Sequence, residues 1–547
     1  MWRTRKQDLL DLISPFISYS VAKVCSPYEI IDLRKVLDIV KSEFGYKDMP
    51  VSVIERVLHR NPKLYEYTEV DNRRKAFKLN GNLDEVVSEI ERRRDECDKK
   101  ISLLGEQIAA YLTLHVSTKK RYEVADGIQE LQGFFARNGA FLGTDQLEEH
   151  AHELEGHEED YYIAQYLYER RDQGSAEYQY VIDLVKGYFL QSAIYLQVEN
   201  DLLLNSSYRN LSFYYDTPFL LRLLGYKTEE DKLSANELHD ALQNQQGTFY
   251  FFPQTRDEVS NILKAYKRDI GYSTDVTLEG LDELKYSASD VDRIIRTWQQ
   301  RLEDEYSTVL APVPQNNERT HQPQIDEADL REFLSSRIRW KSQSSMSADI
   351  ESVVAIHRLR GDVASEDIEN CKAVFVTTNT SLSRAFNEFY RSRINDKAFS
   401  PLITDSDLAA LTWIKTGATD DIPDTQLLRN AYIACQPTPE MLTKFGQVLA
   451  KMQSEGKVSQ ETAVAIRTSR FTKKEVLFST FSNGEGITEN IVLKIEGLLR
   501  EEYSKDARED ERYKAEQRIK SNYNEQLKRA DRKARAIATK EMEKQLN

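Results

Sequence analysis

The stretch LSFYYDTPFLLRLLGY, residues 211–226, decides how this chain is read. An apolar, aromatic run from Leu211 to Tyr215 stops at one acid, Asp216, and Phe219, Leu220, Leu223 and Leu224 then recur at helical spacing. A run that is apolar on both faces and passes at once into a helix predicts a strand of a parallel sheet covered by helices. The carboxyl ends of such strands border the crevice where ligands bind, so Asp216 is expected to face it. Asp is also a common helix N-cap and Pro218 favours a helix start, so a cap alone accounts for this residue equally well.

Three further runs share the texture: GTFYFFP (247–253), KAVFVTT (372–378) and FSPLIT (399–404). Together they predict an α/β domain over residues 206 to about 420. A helical insertion is expected at about 260–345, with the polar linker APVPQNNERTHQPQ inside it. Polar groups recur where these runs meet helices. PQTRDEVSNIL places Glu258 in the first turn of a helix, with Asp257 beside it. SADIESVVAIHRLR places Asp349 at the start of an apolar helix, and VTTNTSLSRAF presents Thr377, Thr378 and Asn379. Three separate first-turn acids, each favourable to a helix dipole, are one account of Asp216, Glu258 and Asp349; convergence on one cation is the other.

The ordered set FYYDTPFLLRLL, FFPQTRDEVSNIL, DIESVVAIHRLR and VFVTTNTSLSRA resembles that of PIN-like nuclease domains. The resemblance covers residues 206 to about 420. It implies a metal-dependent nuclease in which Asp216, Glu258 and Asp349 hold Mg²⁺ or Mn²⁺, directly or through water. It further implies that Asn379 hydrogen-bonds the metal waters or the phosphate and that Thr377 or Thr378 supports Asp216. A few converging carboxylates suffice for such an ion, because Mg²⁺ keeps several of its waters. The sequence departs from the pattern near TTNT, where many members carry a further acid and this chain has an amide or hydroxyl. Asp405 and Asp407 in LITDSDLAALTW are candidates to compensate; the alternatives are one-metal chemistry or a degenerate domain that only binds nucleic acid. Crowded carboxylates without a cation are expected to have raised pKa values. PIN-like domains within large bacterial chains also resemble effectors of toxin or anti-phage systems, so a role in antiviral defence enters as an association.

The flanks read differently. Residues 1–82 resemble a winged-helix domain: helices, then the alternating stretch KLYEYTEVDNRRKAFKLNG as a hairpin. Arg56, Arg60, Lys63, Arg73, Arg74, Lys75 and Lys78 would lie on its last helix and wing, a patch suited to phosphates. A protein-docking module with solvated lysines accounts for it equally well. Residues 83–205 predict a Tyr-rich helical arm or platform. His150, His152 and His157 fit no ligand spacing and are read as a solvated helix end. Residues 421–497 predict a helical domain, and 498–547 a charged helix or tail.

At 547 residues the chain is expected to form roughly three or four domains, and 40% hydrophobic content belongs to globular protein rather than disorder. A net charge of −15 does not exclude nucleic acid, because local patches decide that contact. Cys25, Cys97, Cys371 and Cys435 lie far apart, which suits a reducing compartment. With no signal peptide and no apolar run of spanning length, a cytoplasmic protein without membrane contact is expected. Nucleotide-binding glycine motifs are absent from the sequence. Partners are expected to be RNA or DNA, and a protein partner or a second copy through the helical regions. The competing function classes are a nuclease, a nucleic-acid-binding module and a structural subunit of a larger assembly.

Overall fold

The computed structural model describes residues 9–45, 49, 51–71, 74–117, 121–138, 157–196, 207–268, 278, 280–281, 286–311, 325–338, 340, 343–363, 365, 367–395, 398–416, 422–437, 439–467, 470–481 and 487–501. The chain forms two compact units, Met1–Pro439 and Glu440–Asn547.

The first unit begins with helices Leu9–Val24, Leu33–Phe44 and Val51–Arg60, followed by an antiparallel hairpin of β1 (Tyr65–Asp71) and β2 (Arg74–Leu79). Asp32 caps the second helix by accepting from the Arg34 and Lys35 amides, and Gly45 ends it in the left-handed conformation. Ile30, between the first two helices, bridges to Lys78 and adds a third edge to the hairpin. Alternate hairpin residues Tyr65, Phe77 and Leu79 are buried against the helices, the period-2 pattern that fixes register.

The helical arm follows: Asp84–His115, Val124–Asn138, Glu158–Asp172 and Ala176–Leu196. Its first two helices approach through glycines, since a Cβ on Gly127 would stand 2.2 Å from the Gly105 carbonyl oxygen. The arm and the hairpin domain share one continuous core with the sheet beyond.

That sheet has five parallel strands: β3 (Ser212–Tyr215), β4 (Thr248–Phe251), β5 (Thr308–Leu310), β6 (Ala373–Thr377) and β7 (Leu402–Thr404), in spatial order β5-β4-β3-β6-β7. Both faces are apolar and alternate residue by residue. Phe213, Tyr215, Phe249, Phe251, Val374 and Val376 enter the large core, while Tyr214, Ala373, Phe375 and Leu402 enter a second core. Helices Glu327–Ser335, Gln343–Arg360 and Thr380–Arg393 supply that second core. Burial on both sides is why these strands read as unbroken apolar runs. Order reverses between β3 and β6, so a crevice opens at the carboxyl ends of that pair.

The expected helical insertion is not purely helical. Helix Ala288–Tyr306 turns through Ser307, which adopts the left-handed conformation (φ 48°), into the edge strand β5. Three residues, with Leu310 exposed, carry too little periodicity to signal a strand. Two helices also begin earlier than the sequence suggests, at Pro253 and Gln343, which moves Glu258 and Asp349 beyond their first turns. Pro253 is well placed as a first helical residue, and the serines before Asp349 are helical rather than capping.

Core residues continue past residue 420 into helix Ile422–Ala434, whose Ile422, Leu427 and Ala431 join the large core. The second unit contains helix Pro439–Ser454 apart from its first residue, and helices Gln460–Arg467 and Arg470–Phe481, with Phe445, Leu449, Ile466 and Val476 buried. No described helix is long and apolar enough to cross a membrane. All four cysteines are unpaired. His150 and His152 lie outside the described residues, as does the tail from 502.

Candidate functional site

Asp216 ends β3 and caps helix Thr217–Leu223. Its Oδ1 accepts from the Phe219 amide at 2.8 Å, and its Oδ2 accepts from the Thr377 hydroxyl and the Thr378 amide, both at 2.8 Å. The last two donors come from the end of β6, so this carboxylate joins the two strands where the sheet order reverses. Burial pushes its pKa up to about 6, against the amides of Thr378 and Phe219, the Thr377 hydroxyl and the charge of Arg222.

Glu258 sits on helix Pro253–Arg268, half-buried, and its Oε2 accepts from the Thr217 hydroxyl at 2.6 Å. Asp349 sits on helix Gln343–Arg360, and its Oδ2 accepts from the Trp340 indole N–H at 2.8 Å. The two helices are tied one turn away, where the Gln254 amide donates to Ser352 at 3.1 Å. Burial pushes the Asp349 carboxyl up to about 7, although the Trp340 N–H opposes it; the nearby charges of Asp216 and Glu258 push it further. Two acids from two other elements therefore act on Asp349.

A helix-cap account covers Asp216 but not its companions. Glu258 and Asp349 lie beyond the first turns of their helices, where the dipole has faded. Asn379 does act as a cap: its Oδ1 accepts from the Leu382 amide at 3.0 Å, while its backbone N–H donates to the Thr377 hydroxyl. Thr378 contributes its backbone N–H to Asp216 and Thr377 its hydroxyl.

Asp405 and Asp407, the expected stand-ins for a missing acid, are engaged elsewhere. Asp405 accepts from buried Arg222 at 2.6 Å, and Arg429 stands 3.9 Å away. Asp231 completes the cluster, 3.2 Å from Arg222 and 3.0 Å from Arg429. Burial works against charge on Asp231, yet the two guanidinium groups hold its pKa below the usual carboxylate range. Asp407 bonds back to its own helix cap, accepting from the Thr404 hydroxyl at 2.7 Å. Burial pushes its pKa up to about 7, assisted by Asp405 and opposed by Thr404.

Asp407 gives a pH prediction. An acid whose folded pKa is raised favours the folded state when protonated, so its contribution is present at low pH and is lost as pH rises from about 4 toward about 7. Asp407→Asn is expected to remove that loss and to raise stability at pH 8 by roughly 1–3 kcal/mol relative to pH 5. Urea denaturation at the two pH values checks it; an unchanged pH slope counts against it.

The donor set bears on a divalent ion. Among the described residues no group of three or more His, Cys, Asp or Glu side chains is placed to hold a metal ion, so Asp216, Glu258 and Asp349 do not form a three-ligand site here. Asp349 Oδ1 and Glu258 Oε1 accept no hydrogen bond from a described residue, and Asp216 Oδ1 accepts one. Carboxylate oxygens are the donors that a hard ion takes when it keeps several waters and binds one or two carboxylates. A cation there would also offset the repulsion at Asp349.

Thr217, Trp340 and the Gln254–Ser352 clasp were not singled out from sequence. Thr217 and Gln254 lie within the quoted junctions, but Trp340 gives no local signal. No protein-family model, curated protein or solved structure matches the chain.

Proposed function

We infer that this chain is a metal-dependent nuclease that cleaves phosphodiester bonds of RNA or DNA. One observation carries the reading: buried Asp349 feels the like charges of Asp216 and Glu258 near the carboxyl edge of a parallel sheet, and capping explains the position of Asp216 but not of Glu258 or Asp349. The ordered resemblance to PIN-like nuclease domains over residues 206 to about 420 supports it. Glu258 and Asp349 would hold Mg²⁺ or Mn²⁺, with Asp216 behind them as ligand or anchor. A bound ion of this kind lowers the pKa of a water and neutralises charge on the scissile phosphate. Thr377 and Thr378 keep Asp216 oriented toward β6, Thr217 orients Glu258, and Trp340 orients Asp349. Asn379, held as a cap, positions the start of helix Thr380–Arg393 beside them. The test is cleavage of labelled RNA and DNA strands in Mg²⁺ or Mn²⁺ and its loss in a chelator. Intact strands of both kinds in both metals overturn the reading.

A second reading follows from the same residues: a degenerate domain within a nucleic-acid-binding or scaffold subunit. It is favoured by the commitment of the Asn379 oxygen to Leu382 where many PIN-like domains carry an acid. Binding without cleavage would select it. The association with anti-phage defence stays with the nuclease reading, since an unrestrained nuclease harms its own cell.

The order helix, bridge, helix, helix, hairpin in residues 9–79 supports a winged-helix reading of the N-terminus. Lys63 and Arg60 are exposed and Arg56 and Lys78 half-buried; Arg73 and the side chains of Arg74 and Lys75 lie outside the described residues. If this face grips phosphates, Arg60→Ala with Lys63→Ala lowers the salt slope of binding by about 1–2. Filter binding across a salt series measures it, and an unaltered slope removes this face from the contact.

A further inference from the structure

A cleft of about 570 Å³ opens between helices Pro253–Arg268 and Gln343–Arg360, and it shares Glu258 with the acid site. Its volume lies in the range of about 300–1,000 Å³ usual for small-molecule sites. No lysine or arginine is among the described residues that line it. Glu258 and Glu351 bring negative charge; Asp257 does too, but Arg256 pairs with it at 2.8 Å from outside the lining. A phosphate entering this cleft would meet charge of its own sign. The uncharged part of a nucleotide would not.

Hydrogen-bonding capacity narrows the occupant. The Gln254 amide nitrogen gives one of its two N–H groups to Ser352, and its oxygen is an acceptor. The carboxylates are acceptors only, and Asn261 offers both an acceptor and donors from an exposed position. Ser344, Ser345 and Ser347 add hydroxyls that donate or accept, but the three carboxylates tip the lining toward acceptors, which suits bases that carry an exocyclic amine. Carboxylates accept from the cytosine amine, and amides pair with the adenine edge. Uracil and thymine turn two carbonyls toward such a wall and bring one N–H. Tyr266, itself buried, adds an aromatic residue to the lining.

The geometry points to a nucleoside subsite: the cleft receives an unpaired nucleoside next to the scissile phosphate and favours bases with an exocyclic amine. This rests on the nuclease reading for the placement of the phosphate, but nucleoside binding itself can be measured without catalysis. The full chain is mixed with adenosine, cytidine or uridine at equal concentration, and saturation transfer from protein to ligand is recorded by NMR. Transfer to adenosine and cytidine is expected to exceed that to uridine by at least about threefold. Asn261→Trp, which fills the cleft from an exposed helix position, is expected to abolish it. Asn261→Leu, a smaller change, is expected to reduce it by about half or more, with melting midpoints confirming that both variants fold. Equal or absent transfer in the unaltered chain, or transfer that persists in Asn261→Trp, overturns the subsite. Strand cleavage, measured in parallel, separates the two readings. A chain that cuts strands but contacts no nucleoside loses only the cleft, and one that selects amine-bearing nucleosides without cutting loses only the nuclease.

Discussion

Replacing Asp349 by Asn is expected to lower metal-dependent strand cleavage by about 100-fold or more while making the metal-free protein more stable at pH 8. The two effects have one cause. Burial and the charges of Asp216 and Glu258 disfavour ionised Asp349, so its carboxylate is costly to hold without a cation. Asn keeps the acceptor for the Trp340 N–H and removes the charge. A residue kept for structure would show the opposite pattern, with stability lost and activity following it. Thermal melting in chelator and a gel-based cleavage assay measure the pair. Cleavage at the unaltered rate removes Asp349 from the chemistry.

Asp216→Asn separates the roles less cleanly. Its carboxylate accepts three hydrogen bonds, and an amide nitrogen in place of either oxygen would meet a donor. Activity and about 1–3 kcal/mol of stability are expected to fall together. For that reason Asp349 is the sharper probe of function.

The largest stability effect is expected at Arg222. Its guanidinium is buried between Asp405 and Asp231, and Arg429 reaches the same two acids from helix Ile422–Ala434. Arg222→Met leaves Asp405 with one distant partner, and removal of one member of a buried pair costs about 3–5 kcal/mol. The double variant Arg222→Met, Asp405→Leu is expected to recover much of that loss, because no unpaired charge stays behind. Urea denaturation of the single and double variants forms a cycle; strictly additive losses would show that the two side chains are not coupled. Arg222 also lowers the pKa of Asp216, so the cluster links helix Ile422–Ala434 electrostatically to the acid site.

Much of the sheet was legible because strands buried on both faces must be apolar at every position. FYY, FYF and VFV carry that signature with no help from distant residues. Strand β5 was not legible: at the edge of the sheet, with Leu310 exposed, three residues carry no such demand. Helix starts shifted for a related reason. Serines before Asp349 have capping chemistry, but burial of Met346 and Ile350 against the second core keeps that segment helical.

The sequence by itself determined that Asp216 stands where an apolar strand meets a helix, because chain direction and local periodicity are short-range properties. It also presented Glu258, Asp349 and Thr377 at comparable junctions. Only the tertiary structure decided which of these groups act on one another. It brought Thr377 to Asp216 across 161 positions of sequence, set Glu258 and Asp349 within electrostatic reach, and sent Asp405 to Arg222 instead. Burial and Coulomb interaction depend on distance through space, and helix packing across the sheet settles that distance.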